Sequence, residues 1–189
     1  MNCYNSADYL REALDGVLAQ TFTDWEVIFW DNQSGDESAS IFKNYADKRF
    51  RYHWAPEHTV LGHARNHAVE QARGEWIAFL DCDDLWLQDK LAKQVDIIRE
   101  EGSDLGLVYG HMRMLMEKGS GLNTGWGKNM RVSKRDRSHK YLPEGDIFQE
   151  LLKENFVPLL SSVVRRSAYW QVGGIDPELK QAEDYDLFV

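Results

Sequence analysis

Three aspartates lie close together in the sequence, at Asp81, Asp83 and Asp84. They follow residues 76–80, a short apolar run with aromatic and β-branched members that is typical of a strand buried on both faces. Neighbouring carboxylates repel one another, and a bound cation offsets that repulsion. Oxygen ligands on a short loop suit Mg²⁺ or Mn²⁺, which keep open positions for phosphate oxygens. The spacing therefore predicts a site for a divalent metal and a diphosphate.

A structural interpretation of the same acids competes with the metal site. Aspartate is favoured just before a helix, because its side chain accepts a backbone N–H of the first turn. A helical pattern runs from about Leu87 to Glu101, so Asp83 or Asp84 could begin that helix. The motif alone favours neither interpretation. If both hold, we expect Asp81 and Asp83 to bind the metal and the diphosphate and Asp84 to cap the helix.

The elements that must position these acids alternate between helix and strand. The patterns predict helices over 6–20, 37–46 and 62–74 and strands over 25–30, 50–54 and 76–80. Such alternation implies crossover connections and a mainly parallel sheet, whose ligands collect at the carboxyl ends of its strands. The strand over 25–30 also ends in oxygen acceptors, beginning with Asp31 and Asn32. We therefore expect an α/β fold in which a mainly parallel or mixed sheet lies between helices.

The second half of the chain is less regular. A strand is predicted over 105–109 and an apolar run covers 159–164, whereas residues 110–143 form an irregular excursion. Basic residues concentrate within this excursion, over 128–140. A solvated basic loop is the favoured interpretation of that segment. The alternative is a patch for an anionic acceptor or a membrane surface, which would make a peripheral membrane contact.

Composition excludes several classes of protein. The chain has 189 residues, of which 43% are hydrophobic and 28% charged, enough for one well-cored domain. Its net charge of −9 argues against a general nucleic-acid binder, because clustered lysine and arginine hold phosphate backbones. Its two cysteines, Cys3 and Cys82, form no C-x-x-C pair, which argues against a zinc site or a disulfide framework and fits a reducing cytoplasm.

The two ends of the chain look unfinished. Met1 is followed almost at once by a loop-like segment, and the last helical pattern stops at Val189. We expect residues 1–189 to form a single domain that is truncated at both ends. No apolar run approaches the roughly 18 residues that span a bilayer.

Six short motifs follow one another along the chain. They are Cys3-Tyr4-Asn5 with Tyr9-Leu10 and Gln20-Thr21-Phe22; Asp31-Asn32-Gln33-Ser34-Gly35-Asp36; Gly62 with Ala64-Arg65-Asn66; Gly74-Glu75 before the acidic strand end; Val172-Gly173-Gly174-Ile175-Asp176; and Ala182-Glu183-Asp184-Tyr185-Asp186-Leu187. In this order they resemble the motifs of the family 2 inverting glycosyltransferases of the GT-A fold. Each motif alone is weak, but their order along nearly the whole chain makes chance unlikely to explain them. The resemblance therefore favours the metal-diphosphate interpretation.

The resemblance implies a donor site for a nucleotide-diphosphate sugar, held with Mn²⁺ or Mg²⁺. Asp81 and Asp83 would form its D-x-D pair, with Asp83 the direct metal ligand. The donor-binding residues would be Cys3, Tyr4, Asn5, Asp31, Asn32, Arg65, Asp81 and Cys82. A carboxylate or amide acceptor at Asp31 or Asn32 suits the imide N–H of uracil or thymine, and the alternative for these two is an Asx-turn that satisfies its own backbone.

The resemblance also implies the catalytic groups. Asp184 falls on the family's catalytic base, which takes the proton of a hydroxyl acceptor, and Glu183 would support the acceptor or orient the base. The acceptor would be a saccharide or a lipid-linked hydroxyl. The alternative is that Glu183 and Asp184 are two solvent-facing acids at the start of a helix, with no catalytic role.

Other functions are weaker matches to the sequence. A non-catalytic nucleotide-sugar-binding module, or an inactive fragment of such an enzyme, is the main alternative. A nucleotidyltransferase would need a glycine-rich basic loop near the start, and residues 1–5 offer none. His63 and His67 stand four residues apart and could mimic a metal pair, but no third ligand has matching spacing.

Overall fold

The computed structural model describes residues 1–112 and 142–189. Its helices are α1 (Ala7–Leu18), α2 (Ser38–Lys43), α3 (Leu61–Gln71), α4 (Lys90–Glu101), α5 (Phe148–Leu151), α6 (Arg166–Gln171) and α7 (Glu183–Phe188). Its strands are β1 (Asn2–Cys3), β2 (Val27–Asp31), β3 (Phe50–Trp54), β4 (Trp76–Ala78), β5 (Leu107–Val108) and β6 (Val163–Arg165), with 3₁₀ turns at Gly102–Asp104 and Leu159–Ser161.

The first half of the described chain forms a parallel sheet in the order β1-β2-β3. Val27 pairs with Phe50 and Asp31 with Trp54, while Cys3 pairs with Asp31 on the other edge of β2. Every residue of β2 is buried, as expected for a central strand covered on both faces. The acceptors that follow β2 therefore lie beside the end of β1, at the carboxyl edge of this sheet.

The second sheet is antiparallel, in the order β4-β6-β5. Trp76 pairs with Arg165 in β6, and Leu107 in β5 pairs with Val164 on the other side of the same strand. The described strands thus form a parallel and an antiparallel sheet flanked by helices, which confirms the predicted α/β class with parallel and mixed pairing. A cavity of about 750 Å³ lies between the halves, with Ile28 of β2 and Ile77 of β4 in its wall.

Helix α3 contacts both halves. Ala64 and Ala68 pack with Ile28 of β2 in one apolar cluster. Val69, one residue further along the helix, packs with Ile77 of β4 in another. The small alanines allow a close approach of α3 to the parallel sheet, and this position places the first turns of α3 above the ends of β2 and β4.

One predicted boundary is wrong. Helix α4 begins at Lys90, not near Leu87, and the residue preceding it is Asp89, so Asp84 lies in the loop after β4 and does not cap the helix. The first turn is satisfied instead by Gln20, whose side-chain carbonyl accepts the Leu91 N–H at 3.0 Å. A side chain 71 positions away in sequence provides this cap, which local spacing cannot reveal.

Two further expectations have different outcomes. Within the described ranges, no helix combines the length and apolar character needed to cross a membrane. The basic segment 128–140, and most of the excursion 110–143, lie outside the described residues. The expectation of a single domain over 1–189 stays a prediction.

Candidate functional site

The loop after β4 that carries Asp81, Asp83 and Asp84, called the acidic loop below, contains both exposed and buried groups. Asp83 is exposed and the Asp81 side chain is 42% exposed, whereas Cys82 between them is buried. The Cys82 thiol donates to the Asn2 carbonyl at 3.1 Å, which holds the loop against β1. Burial raises the pKa of Asp84 to about 6, and the negative charges of Asp81 and Asp83 add to that rise. The loop therefore carries enough negative charge to favour a cation.

The acidic loop offers only one or two protein ligands for a metal ion. Within residues 1–112 and 142–189, no three His, Cys, Asp or Glu side chains converge in a way that could hold a metal. Asp83 is exposed and accepts no side-chain hydrogen bond or ion pair from another described residue. Mg²⁺ and Mn²⁺ are often held by one or two carboxylates together with substrate phosphates and water. The residues present fit that arrangement.

Arg65 connects the acidic loop to the far end of the chain. It lies on α3 and is only 5% exposed. Its Nη2 is 3.1 Å from both carboxylate oxygens of Asp81, and its Nη1 donates to Oε1 of Glu183 at 2.9 Å. The ion pairs thus bring together an acid of the loop and the first residue of α7, 102 positions apart (183 − 81).

Helix α7 carries the two acids that the resemblance singled out. Glu183 is its first residue and Asp184 its second. The Oδ1 atom of Asp184 accepts the N–H of Tyr185, and Leu187 packs into the apolar cluster that contains Ile77 of β4. The Tyr185 hydroxyl also donates to the Leu151 carbonyl. These contacts hold α7 against the second sheet with Glu183 next to the acidic loop.

The end of β2 is held by hydrogen bonds within the protein. Asp31 is completely buried; one carboxylate oxygen accepts the Ser34 N–H and the other accepts the Tyr52 hydroxyl, each at 2.8 Å. Burial, with the adjacent Asp31 charge, raises the pKa of Tyr52 above its usual range. The bond to Ser34, three residues on, is a local bond from the Asp31 side chain to the backbone, one residue longer than the Asx-turn that sequence reasoning kept as the alternative. Base recognition by Asp31 stays a prediction.

Asn32 positions the loop between β3 and α3. Its Nδ2 donates to the Thr59 carbonyl at 2.7 Å, and its Oδ1 accepts the Thr59 N–H at 3.0 Å. The Asn32 backbone carbonyl lies 2.8 Å from Nδ1 of His58. The His58 ring is in turn 4.4 Å from that of Tyr4, centroid to centroid. Both polar atoms of the Asn32 side chain are thus engaged, and its predicted contact with a nucleotide base is not tested.

The segment after β1 is bound to the turn after β2. Asn5 has a positive φ of 50°, and its Oδ1 accepts the Gly35 N–H at 2.8 Å. The Asn5 N–H donates to the Ser34 hydroxyl at 3.1 Å. Tyr4 is 53% exposed and presents its ring beside His58. Cys3, Tyr4 and Asn5 therefore border the same edge of the sheet as Asp31, with Cys3 buried and Tyr4 and Asn5 exposed.

Cys3 and Cys82 are buried neighbours, which the sequence did not predict. The neighbouring Cys82 thiol, partly opposed by burial, lowers the pKa of the Cys3 thiol to about 6. The same contact raises the pKa of Cys82. Both cysteines are free thiols. One comes from β1 and the other from the acidic loop, so this contact joins two parts of the site.

Sequence reasoning also missed His58 and Thr59, and it included Ser34 in a motif without giving it a role. They lie in turns, where no periodicity marks a side chain, and their roles depend on partners more than 25 residues away. His63 and His67 have stacked rings 6.2 Å apart, and His67 pairs with Glu70. That His63 and His67 form no metal pair stays a prediction.

Comparison with solved structures defines the class of fold. The chain superposes on S. aureus TarS (residues 1–349) with a TM-score of 0.75 at 24% identity, covering 97% of this chain and 51% of TarS. The mannosyltransferase PcManGT from Pyrobaculum calidifontis, solved with GDP-Man and Mn²⁺, gives a TM-score of 0.70 at 21% identity over 97% of this chain and 48% of that one. The architecture is that of the GT-A glycosyltransferases.

The chain belongs to glycosyl transferase family 2, whose model matches residues 1–173. The putative teichuronic acid biosynthesis glycosyltransferase TuaG of Bacillus subtilis is 38% identical over 51% of this chain and 39% of TuaG. The Escherichia coli enzyme WfgD, named as a UDP-Glc:alpha-D-GlcNAc-diphosphoundecaprenol beta-1,3-glucosyltransferase, is 29% identical over 61% of this chain and 45% of WfgD. The chain thus spans less than half the length of these two relatives.

Proposed function

We propose that this chain forms the donor-binding and catalytic part of an inverting glycosyltransferase, which moves a hexose-type sugar from a UDP- or dTDP-linked donor to a hydroxyl acceptor. The observation that carries the proposal is the pairing of Arg65 with both Asp81 and Glu183, because it brings the acidic loop and the acids of α7 to one place. TarS has been solved in complex with UDP-GlcNAc, and WfgD is named for a UDP-Glc donor. Both donors support the uridine-type assignment.

The donor is proposed to lie along the carboxyl edge of the parallel sheet. Asp31, Asn32 and the segment Cys3 to Asn5 surround the base, and the exposed Tyr4 ring beside His58 offers it a flat apolar face. Arg65, Asp81 and Cys82 border the diphosphate. Hydrogen bonds to Ser34 and Thr59 fix this edge before any donor arrives, which lowers the entropic cost of binding.

Mn²⁺ or Mg²⁺ is the proposed cofactor, held by Asp83 with Asp81 beside it. When bound, such an ion acts as a Lewis acid that stabilises the negative charge on the departing diphosphate. The Mn²⁺ in the PcManGT structure supports this choice.

Asp184 is the proposed base. Its carboxylate removes the proton of the acceptor hydroxyl while that oxygen bonds to the anomeric carbon from the side opposite the diphosphate. The bond between the anomeric carbon and the diphosphate oxygen breaks in the same step, and the nucleoside diphosphate leaves with the electron pair. A single displacement inverts the anomeric configuration. Glu183, held by Arg65, supports the position of the base.

The acceptor is proposed to be a saccharide or a lipid-linked hydroxyl. WfgD is named for a diphosphoundecaprenol-linked acceptor, which supports the lipid-linked form. An acceptor of that kind would place the protein in the cytoplasm at the inner face of the membrane, with the basic segment 128–140 in contact with anionic lipid.

A nucleotide-sugar-binding module without turnover is the second candidate. The named activities belong to longer proteins, since the chain spans 39% of TuaG and 45% of WfgD, so donor binding and turnover need separate tests. Both candidates predict donor binding, and only the first predicts that Asp184 matters for transfer.

Thermal unfolding with and without ligand tests donor binding. UDP with Mn²⁺ at about 100 times its Kd should stabilise the chain by about 2.7 kcal/mol, which is a rise in Tm of several degrees. Asp83→Ala should abolish the Mn²⁺-dependent part of that rise. Asp96→Ala removes an exposed aspartate on α4 and is the matched control. A rise that survives Asp83→Ala would refute the metal role.

Transfer or hydrolysis of UDP- and dTDP-sugars with Mn²⁺ then separates the two candidates. Asp184→Asn should lower kcat by a factor of about 10² to 10⁴, as expected for loss of a general base, while the UDP-dependent rise in Tm stays. Donor binding without turnover in the wild-type chain would favour the binding module. Absence of both binding and turnover would reject the nucleotide-sugar function.

A further inference from the structure

The guanidinium of Arg65 has little room for a ligand. Its side chain is 6% exposed; Nη1 is engaged by Glu183 and Nη2 by Asp81. With both acids in place, little of the guanidinium is accessible to a nucleotide phosphate. The buried environment strengthens both ion pairs, and removing one partner leaves a buried charge without compensation. The contacts thus describe an arginine that holds protein acids, which differs from its expected role at the phosphate.

Helix α7 depends on contacts with the rest of the protein for its position. It has six residues, too few to be stable by itself, and no side-chain cap at its start, where Ala182 has a φ of 59°. Leu187 and Tyr185 anchor its later residues through the apolar cluster and the Leu151 carbonyl. At its start, the described tether from another element is the bond from Arg65 to Glu183. Asp184 is the next residue.

Asp81 occupies the other side of the same guanidinium. Both of its carboxylate oxygens are 3.1 Å from Nη2, so the charge of Arg65 already compensates this acid. Asp83 is exposed and has no such partner among the described residues. The two aspartates of the D-x-D pair therefore have different roles. Asp83 is available to bind a metal, while Asp81 anchors the loop to α3.

We propose that Arg65 is a positioning residue that fixes α7, and with it Asp184, relative to the acidic loop through simultaneous pairing with Glu183 and Asp81. This inference rests on the proposed function for the part played by Asp184. In this role Arg65 does not contact the phosphate. It sets the distance between the donor, at the acidic loop, and the base, on α7. The planar guanidinium of arginine can bond two acids at once, and the point charge of lysine cannot reproduce this geometry.

The test compares Arg65→Gln, Arg65→Lys and Glu183→Gln in the full chain. Arg51→Gln is the matched control, because Arg51 also forms a partly buried ion pair, with Glu26, together with a bond to the Gln71 carbonyl. In sugar transfer with Mn²⁺, both Arg65 variants should lower kcat at least tenfold while the KM for the donor changes less than threefold. Glu183→Gln should have a similar effect, and the Arg65→Gln/Glu183→Gln double variant should add little, since the two residues act as one unit.

Hydrogen exchange gives a readout that does not need turnover. The amides of Glu183–Phe188 should exchange at least tenfold faster in Arg65→Gln than in the wild type, and the control Arg51→Gln should leave them unchanged. Unchanged exchange of α7 in Arg65→Gln would overturn the proposal.

The kinetic outcomes distinguish this inference from the proposed function. A KM for the donor that rises tenfold in Arg65→Gln with kcat unchanged, and recovers in Arg65→Lys, would show that Arg65 binds phosphate, and the positioning role would be wrong. A wild-type chain that neither binds nor transfers a nucleotide sugar would reject the proposed function. In that case the α7 exchange experiment alone decides whether Arg65 positions the helix.

Discussion

At the scale of single residues, consecutive positions on α3 have separate tasks. Ala64 is fully buried against the parallel sheet, Arg65 pairs with acids from two other segments, and Asn66 bonds to the Ile175 backbone. Such a division is possible because successive helix residues point about 100° apart. The run resembles a recognition motif in the sequence, and in the structure each of its three residues holds a different neighbour in place.

Lys90 gives a prediction about pH. Burial lowers the pKa of its ammonium group to about 7 from an ordinary value near 10.4. Between these values the unfolded chain binds more protons than the folded one, so the contribution of Lys90 to stability becomes less unfavourable as pH rises from about 7 towards 10. Lys90→Met should therefore raise the free energy of unfolding by about 1–2 kcal/mol at pH 6.5, with a smaller gain at pH 9.5.

The measurement is urea unfolding of both proteins at the two pH values. The Trp86 ring, 4.2 Å from Nζ, and the Gln94 side chain partly stabilise the charged form, which keeps the expected gain modest. Lys93→Met is the control, because that ammonium is 72% exposed and should show no such pH dependence. A gain that is constant from pH 6.5 to 9.5 would be evidence against a buried charged Lys90.

At the scale of elements, helix α4 is positioned from outside its own sequence. Gln20, just after α1, donates to the Leu87 carbonyl at 2.8 Å and accepts the Leu91 N–H at 3.0 Å. Gln94, one turn along α4, donates to the Ser161 carbonyl at 2.7 Å, close to β6. Two buried amides thus connect α4 to both halves of the molecule and hold the end of the acidic loop.

Replacement of Gln20 should test this cap. Gln20→Ala removes one buried acceptor and one donor and should lower the free energy of unfolding by about 2–3 kcal/mol. Asp84→Ala should leave stability unchanged or raise it, because it removes a partly buried carboxylate, relieves its repulsion from Asp81 and Asp83, and removes no cap. Urea unfolding in the absence of divalent metal measures both. A loss for Asp84→Ala as large as that for Gln20→Ala would restore Asp84 as the cap.

Local sequence patterns predicted the positions of the helices and strands more accurately than the contacts between them. The alternation of β2, α2, β3, α3 and β4 was correct to within a few residues, because each follows from its own apolar period. The start of α4 was wrong since its cap comes from Gln20, 71 positions before Leu91. The pairing of Arg65 with Glu183 spans 118 positions, and no period in the sequence encodes such a contact.

At the scale of the whole molecule, α3 is one of the elements that connect the parallel and antiparallel sheets. Asn66 donates to the Ile175 carbonyl at 2.8 Å and accepts the Ile175 N–H at 3.0 Å. Ile175 itself is fully buried among residues of the second half. The antiparallel pairing of β4 with β6 was not predicted, because it depends on strands separated by most of the second half of the chain.

Substitution of Gly174 tests the contact between Asn66 of α3 and the Ile175 backbone. Its φ is +77°, and a Cβ there would lie 2.7 Å from Oδ1 of Asn66, so Gly174→Ala must displace the bond between α3 and the Ile175 turn. We expect a loss of about 2–4 kcal/mol in the free energy of unfolding. Gly173→Ala has a similar φ of +96° but open space at Cβ, and should cost only about 1 kcal/mol. Equal losses in urea unfolding would show that backbone strain alone accounts for the effect.

The two thiols beside the acidic loop have a practical consequence. The contact with Cys82 lowers the pKa of the Cys3 thiol, which favours the thiolate, the form that reacts with alkylating reagents, yet Cys3 is only 2% exposed. Its rate of alkylation is therefore controlled by how often the end of β1 separates from the segment that carries Cys82. Because the sequence has only these two cysteines, the unmodified chain already contains a chemical reporter for opening of the acidic loop.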